Sequence, residues 1–286
     1  MSKSILITGT SSGVGRALLR ACHDAGWQAF GTVRKTDDAD SLTADGLNAL
    51  MCDVTDDAGV QAAVEHVIAT TGRLDAVIAN AGIGYVRNIE QAPTDEVAHL
   101  FDVNVHGVFR TAKAALPHMR AARRGHILAV SSVGGLVGQP FNELYCSTKF
   151  AVEGFIEGLA SYVTPGFGID FTLVEPGGIS SGFADTVRKQ VAATGGIHDD
   201  AYAPLMQAYL GGAASRGTDI YQTPEEVAAI ILATLELDRP PLRLRTSPWS
   251  EHFTRFKTQA DPTGHKSNTE SIRTMLGEDA VRDLGN

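Results

Sequence analysis

The chain has few cysteines, little tryptophan, a shortage of positive charge and no long apolar run. Its three cysteines, Cys22, Cys52 and Cys146, are scattered over 286 residues. An odd number at irregular spacing makes neither a disulfide framework nor a zinc pattern. The thiols read as reduced, which points to a reducing, cytoplasmic compartment. Lys and Arg number 24 against 33 Asp and Glu, for a formal charge of −9. Nucleic-acid backbones are bound by clustered Lys and Arg, so no nucleic-acid partner is expected, although a phosphorylated small molecule needs only a few local donors. No apolar run approaches the roughly 18 residues of a membrane helix, and no apolar segment with basic flanks opens the chain, so neither membrane insertion nor secretion is expected. The nine histidines form no HxxxH or HExxH pair. His106, His118 and His126 read as surface or core residues, and no metal is expected.

What is present is alternation. A length of 286 residues, 43% of them hydrophobic, suits one large α/β domain whose core needs no staple. Short β-branched or apolar runs at Ser4–Thr8, Gln28–Val33, Leu47–Met51, Asp75–Ala79, His126–Ser131 and Ile169–Val174 read as strands. Helical patterns lie between them at Gly15–Ala25, Asp56–Thr71, Thr94–Ala122 (with a kink expected at Pro117) and Glu143–Val163. This rhythm predicts a doubly wound parallel sheet in a three-layer α/β/α sandwich. Residues 180–222 carry weak helical periodicity, as a substrate lid would. Pro224–Leu235 reads as a helix with proline in its first turn and Pro241–Arg245 as a last strand. The expected division is a domain over residues 1–246 that includes the lid, then a polar extension over 247–286 that docks or stays loose.

The first strand runs into Thr8-Gly9-Thr10-Ser11-Ser12-Gly13-Val14-Gly15 and then a helix. Glycines let backbone approach a pyrophosphate closely, and the helix N-terminus offers free N–H groups at a positive dipole end. In that context a tight strand-to-helix turn without a ligand is the weaker reading.

The TGxxxGxG spacing of this loop resembles the short-chain dehydrogenase/reductase family, a Rossmann-fold family. Further motifs follow in that family's order: Asp53 after the third strand, Asn80-Ala81-Gly82 after the fourth, Asn104 within a helix, Ser132 after the fifth strand, Tyr145-x3-Lys149 thirteen residues on, and Pro176-Gly177 after the sixth. The resemblance spans about residues 4–181 and is nearest in feel to hydroxysteroid and retinol dehydrogenase-like members. It implies a cofactor site of Gly9, Ser11, Ser12, Gly13, Val14, Gly15, Arg34, Asp53, Val54, Asn80, Ala81, Gly82, Tyr145, Lys149, Pro176, Gly177, Ile179 and Ser181. Ser181 stands where the family usually has threonine. Association as a homodimer or homotetramer through the helices at 94–122 and 143–163 is also implied.

Tyr145 and Lys149 are four apart and share a helix face. A carbonyl that accepts a hydride must also accept a proton, and a tyrosine can supply it; a nearby ammonium would lower the phenol's pKa of about 10. Ser132 can hold the substrate oxygen, with Ser131 as competitor for that role. The resemblance implies that Lys149 also bonds the nicotinamide ribose and that Asn104 holds a water linking Lys149 to solvent. Asp53 could instead cap the helix near Asp56, and Asn80 could be a plain turn residue. Cys146, about 100° round the helix from Tyr145, reads as packing.

At the end of the second strand Val33 replaces the carboxylate that would select NAD, and Arg34 and Lys35 follow. This favours NADP(H) over NAD(H), though Asp37 and Asp38 blunt the field. The expected reaction interconverts a secondary alcohol and a ketone on a hydrophobic, steroid-, retinoid- or bulky ketone-like substrate. Pocket candidates are Gly134, Leu136, Gln139, Phe141, Glu143, Phe183, Tyr202, Leu205, Met206 and Tyr209. A non-catalytic dinucleotide-binding regulatory protein is the alternative, and would not need the Tyr–Lys pair. A dehalogenase-type relative would lack the glycine loop, and an epimerase or dehydratase would carry another glycine spacing.

Overall fold

The computed structural model describes residues 2–180, 182–215, 221–266, 269–270 and 273. Nine strands are described: β1 (Ser4–Ile7), β2 (Gln28–Val33), β3 (Asn48–Met51), β4 (Ala76–Ala79), β5 (Gly125–Val130), β6 (Ile169–Glu175), β7 (Gly178–Ile179), β8 (Tyr221–Gln222) and β9 (Arg243–Arg245). Seven of them form one all-parallel sheet in the order β3-β2-β1-β4-β5-β6-β9, while β7 and β8 pair apart from it. The helices are α1 (Gly13–Asp24), α2 (Thr36–Ala44), α3 (Asp57–Thr71), α4 (Thr94–Phe101), α5 (Gly107–Ala122), α6 (Glu143–Phe167), α7 (Gly182–Ala193), α8 (Ala203–Ser215), α9 (Pro224–Leu235) and α10 (Pro248–Thr258).

The strands explain the layering. Leu6, Val77, Ile127 and Phe171 point to one face and pack with Val64 and Val67 of α3, Ala115 and Met119 of α5, and Val152 and Ile156 of α6. Ile5, Ile7, Ile78 and Leu128 point to the other face, against Leu18 and Leu19 of α1 and Val227 and Ile231 of α9. Both faces are buried, so the strands read as continuous apolar runs, as parallel sheets require. Winding reverses between β1 and β4, and that reversal opens a crevice at the C-terminal strand ends.

Some elements depart from the sequence expectation. Helix α2 falls where no helix was expected, because only Leu42 of it is buried and a single anchor leaves no periodic pattern. Between α4 and α5 the chain makes a π turn, Asp102–His106, while Pro117 sits inside α5. Asp56, not Asp53, caps α3, accepting from the N–H groups of Ala58 and Gly59. Within the stretch expected as a polar extension, α10 docks and buries Ser250, Thr254 and Thr258 on one stripe. It is tied to the sheet by a buried charge network. Arg243 bonds Glu153, Glu157 and Glu175, and Arg245 bonds Glu175 and Glu251. Burial pushes the Glu153 carboxyl up to about 8, with the Glu175 charge adding to the rise.

His126 is the one buried histidine among the described residues, with Nε2 2.9 Å from the Thr172 hydroxyl. Burial lowers its pKa from 6.5 to about 3. Between those values the unfolded chain binds a proton that the folded chain does not, so stability falls as pH drops below 6.5. Urea unfolding from pH 6.5 to 4 should therefore show a shallower loss for His126→Gln than for wild type, by up to about 1.4 kcal/mol per pH unit.

Candidate active site

Backbone contact builds the cleft first. Gly9 and Gly13 have φ of +71° and +57°, a region that favours glycine. A Cβ on Gly9 would lie 2.7 Å from Ala81 Cα, and one on Gly15 would lie 2.3 Å from Gly9 O and 2.5 Å from Asn80 Nδ2. The loop after β1 and the turn after β4 are thus in direct contact, and side-chain bonds lock them. Asn80 Nδ2 donates to the carbonyls of Thr8 and Gly9 at 2.9 and 3.0 Å. Thr8 Oγ1 accepts from the N–H groups of Asn80 and Ala81 at 3.0 and 3.1 Å. Asn80 is therefore a clasp rather than a plain turn residue. Ser12, at the N-cap of α1, makes no side-chain cap bond, so the helix N-terminus faces the cleft without one. A cradle that any Cβ would fill, ending on a helix N-terminus, fits the pyrophosphate of a dinucleotide.

The cleft holds about 390 Å³, and its lining includes the glycine loop from Gly9 to Gly15, Arg34, Asp53, Val54, Asn80, Ala81, Gly82, Ser132, Tyr145, Lys149, Pro176, Gly177 and Ile179. These are the expected site residues with two exceptions: Ser181 lies outside the described residues, and Asn104 stands behind the wall. Sequence reasoning did not single out Thr32, Cys52, Ile83, Val103 or Val130, which also line the cleft. They are ordinary apolar or small residues on strands, in the loops that follow them and in the Asp102–His106 turn, and only the topology brings them there.

Asp53 Oδ1 accepts from the Thr55 N–H and hydroxyl, and Oδ2 lies 4.0 Å from Arg34 Nη1. Burial pushes its pKa up, but the Thr55 bonds and Arg34 outweigh that and leave it lowered. The rim beyond β2 carries Val33, Arg34, Lys35 and Asp38. The two basic residues therefore share it with one carboxylate from the first turn of α2.

At the other end of the cleft, α6 presents Tyr145 and Lys149 on one face. Lys149 is buried, its Nζ donates to Val130 O at 2.9 Å, and it lies 5.6 Å from the centre of the Tyr145 ring. Burial lowers its pKa to about 8, against the opposing pull of Glu153. Burial also raises the Tyr145 phenol, and only the Ser132 hydrogen bond pulls it down. This reverses the expected direction. The ammonium sits against the ring rather than at the hydroxyl, so desolvation dominates and Tyr145 rests as a neutral acid. Ser132 also accepts from the Gly134 N–H at 3.0 Å. The Ser131 hydroxyl and Glu153 both crowd Gly135, where an added Cβ would lie 2.7 Å from Ser131 Oγ and 2.9 Å from Glu153 Cγ. Both serines line the cleft, and of the two it is Ser132 that hydrogen-bonds Tyr145.

Asn104 is fully buried in the π turn. Its Oδ1 accepts from Ile83 N–H at 2.8 Å, and Nδ2 donates to Ile83 O and Thr148 Oγ1 at 2.9 and 3.2 Å. Both amide protons are committed. A Cβ built on Gly82 would lie 3.3 Å from Asn104 Oδ1 and 3.7 Å from Lys149 Nζ. The bare α-carbon of Gly82 keeps open the space between them.

The pocket candidates gather elsewhere. Phe141 and Met206 pack with Val86 and Val191, and Tyr202 and Tyr209 lie against them. Leu205 is exposed, and the side chain of Phe183 lies outside the described residues. None of the nine whose side chains are described lines the cleft itself. Among the described residues, no group of three or more His, Cys, Asp or Glu could hold a metal ion.

Comparison with known proteins agrees with this geometry. Residues 3–192 match the family model described as short chain dehydrogenase. The chain is 37% identical over 244 residues to 3-ketodihydrosphingosine reductase of Bacteroides thetaiotaomicron, covering 85% of this chain and 87% of that protein. It is 35% identical to human 17-beta-hydroxysteroid dehydrogenase type 1, covering 96% and 86%. A solved short-chain dehydrogenase from Streptomyces avermitilis superposes with a TM-score of 0.73 at 31% identity, covering 98% and 99%.

The crowding at Gly15 contrasts with exposed Gly154 in α6, whose added Cβ would meet nothing within 4 Å. Gly15→Ala should weaken nicotinamide dinucleotide binding, read by fluorescence titration, by at least about tenfold because loop and turn must part. Gly154→Ala should leave binding unchanged and stabilise the fold by about 0.5–1 kcal/mol in urea unfolding.

Proposed function

The chain belongs to the short-chain dehydrogenase/reductase family and is an NAD(P)-dependent oxidoreductase, and from that premise we propose that it reduces a bulky hydrophobic ketone to a secondary alcohol, reversibly, with NADP(H) preferred. One observation carries the reading: Ser132, Tyr145 and Lys149 line the same cleft as the glycine loop. A regulatory protein that only bound a dinucleotide would have no use for a buried lysine beneath a neutral tyrosine.

The bound cofactor supplies the hydride and, when oxidised, a positive charge beside the tyrosine. The chain's residues do the rest. Ser132 Oγ holds the substrate oxygen and Tyr145 OH gives it a proton as charge develops there. The Lys149 ammonium stabilises the phenolate left behind and would bond the nicotinamide ribose. Resupply of the proton would pass through a water over Gly82, between Lys149 Nζ and Asn104 Oδ1. With both amide protons committed to Ile83 and Thr148, Asn104 would hold that water through oxygen.

The cofactor preference is supported by Val33, which has no carboxylate to repel a 2′-phosphate, and by Arg34 and Lys35 on the rim. For the substrate, support comes from the relatives named for a ketodihydrosphingosine and a hydroxysteroid. The apolar group of Phe141, Met206, Tyr202 and Tyr209 supports it as well. Residues 180–222 would act as the lid of a catalytic domain over 1–246, with 247–286 as an extension docked behind it. Self-association through α4, α5 and α6 is favoured by exposed Phe150 and Tyr162 on α6. Three buried, unpaired thiols suit a reducing, cytoplasmic setting.

NADPH should exceed NADH in kcat/KM for reduction of an apolar ketone, and a strong NADH preference overturns the argument from Arg34. Tyr145→Phe should lose kcat by about 10²–10⁴-fold while still binding NADPH. Wild-type kcat for reduction should fall as pH rises through about 8, where Lys149 loses its charge.

A further inference from the structure

Arg87 is fully buried, 1% exposed, although its guanidinium is permanently charged. Its described partners are carbonyls and one hydroxyl, with no carboxylate among them. Nη1 donates to Gly196 O at 2.8 Å, and Nη2 donates to Val191 O at 3.2 Å, Thr194 O at 3.1 Å and the Thr194 hydroxyl. All of these belong to the last turn of α7 and the loop after it. A helix ends in carbonyls without internal partners and in the negative end of its dipole. A planar cationic fork on those carbonyls is a C-terminal cap delivered from a distant part of the chain. Burying a charge without a counter-ion is costly, so the contact matters to whatever α7 does.

Arg87 lies on the segment between β4 and α4, and this segment grips α7 and the loop before α8 at other points too. Val86 N–H donates to Gln190 Oε1 at 3.2 Å, the Tyr202 hydroxyl donates to Glu90 at 2.6 Å, and Gln91 donates to Asp200. The grip extends to the catalytic helix. Arg87 N–H donates to Phe141 O at 2.9 Å, and Phe141 holds a φ of +58°, rare for a bulky side chain. The next residue, Asn142, donates to the Tyr209 hydroxyl at 2.7 Å and stands at the N-cap of the helix that carries Tyr145. One buried arginine thus joins the far end of α7 to the start of α6, while the near end of α7 leads off from the cleft beyond Ile179.

We infer that Arg87 is a positioning residue that latches the α7–α8 segment in its closed place and so sets the affinity for substrate, while touching neither cofactor nor reacting atoms. The inference rests on the reading of that segment as the substrate lid. A held lid leaves no ordering cost to be met by the substrate; a lid closed only a tenth of the time would weaken apparent affinity about tenfold. A lysine would replace it poorly, because one ammonium cannot fork across carbonyls that come from three residues.

The test uses full-length Arg87→Ala and Arg87→Lys with NADPH bound. Amide hydrogen exchange should quicken over residues 187–210 in Arg87→Ala and stay unchanged in β1, β4 and α6. KM for the ketone should rise about tenfold with kcat and NADPH affinity nearly unchanged. Arg87→Lys should lie between, and added guanidinium ion should bring the KM of Arg87→Ala back toward wild type. Unchanged exchange and KM overturn the inference. So does exchange that quickens throughout the sheet with loss of NADPH binding, or an Arg87→Lys chain that does not fold, since the role is then general to the fold. If wild type reduces no ketone, the proposed reaction fails, while exchange over residues 187–210 still decides the latch.

Discussion

The cleft depends on one constraint: the backbone after β1 lies against the backbone after β4 with no room for a Cβ between them. Gly9 and Gly15 meet Ala81 and Asn80 closely enough that an added methyl would overlap them. Asn80 and Thr8 then fasten the contact through four hydrogen bonds. β1 and β4 are the strands between which the winding reverses, so the same contact sets the floor of the crevice. It brings Gly82 beside Asn104, and Asn104 braces Ile83. The cleft's cradle and the proposed proton path therefore rest on one piece of packing.

Burial sets the chemistry at the far end. Removing Lys149 from water lowers its pKa, and removing Tyr145 raises that of the phenol. The two shifts diverge, so the proton stays on the tyrosine, and the lysine is the more readily discharged of the two. Behind them Glu153, Glu175, Arg243 and Arg245 form a buried network that reaches α10 through Glu251. α10 in turn packs on the turn after β6, where a Cβ on Gly177 would lie 2.8 Å from Trp249. α10 thus backs Gly177 at the edge of the cleft.

Much of this was legible in the sequence because strong local rules produced it. The glycine spacing, the Tyr–Lys pair at four residues and the apolar strands each announce their geometry. The parts that were not legible depend on tertiary contact. α10 buries Thr254 and Thr258, whose hydroxyls bond the carbonyls four residues back, so its inner stripe looks polar on the page. α2 has one anchor. Asn104 looks like a solvated helix residue until the π turn and Ile83 account for its amide. The rise of the Tyr145 pKa was missed because sequence shows the neighbouring charge but not the depth of burial. Arg87 gives no signal at all, since the carbonyls that it caps lie more than a hundred residues away.

The central claim is that hydride passes to a ketone carbon in this cleft while Tyr145 supplies the proton. It is tested most directly by supplying a bulky apolar ketone and NADPH deuterated at the transferable C4 position, then locating the label in the alcohol by mass spectrometry and NMR. The account predicts one deuterium on the carbinol carbon with the hydroxyl proton drawn from solvent. An alcohol without the label, or no alcohol from any ketone while NADPH binds tightly, would contradict it.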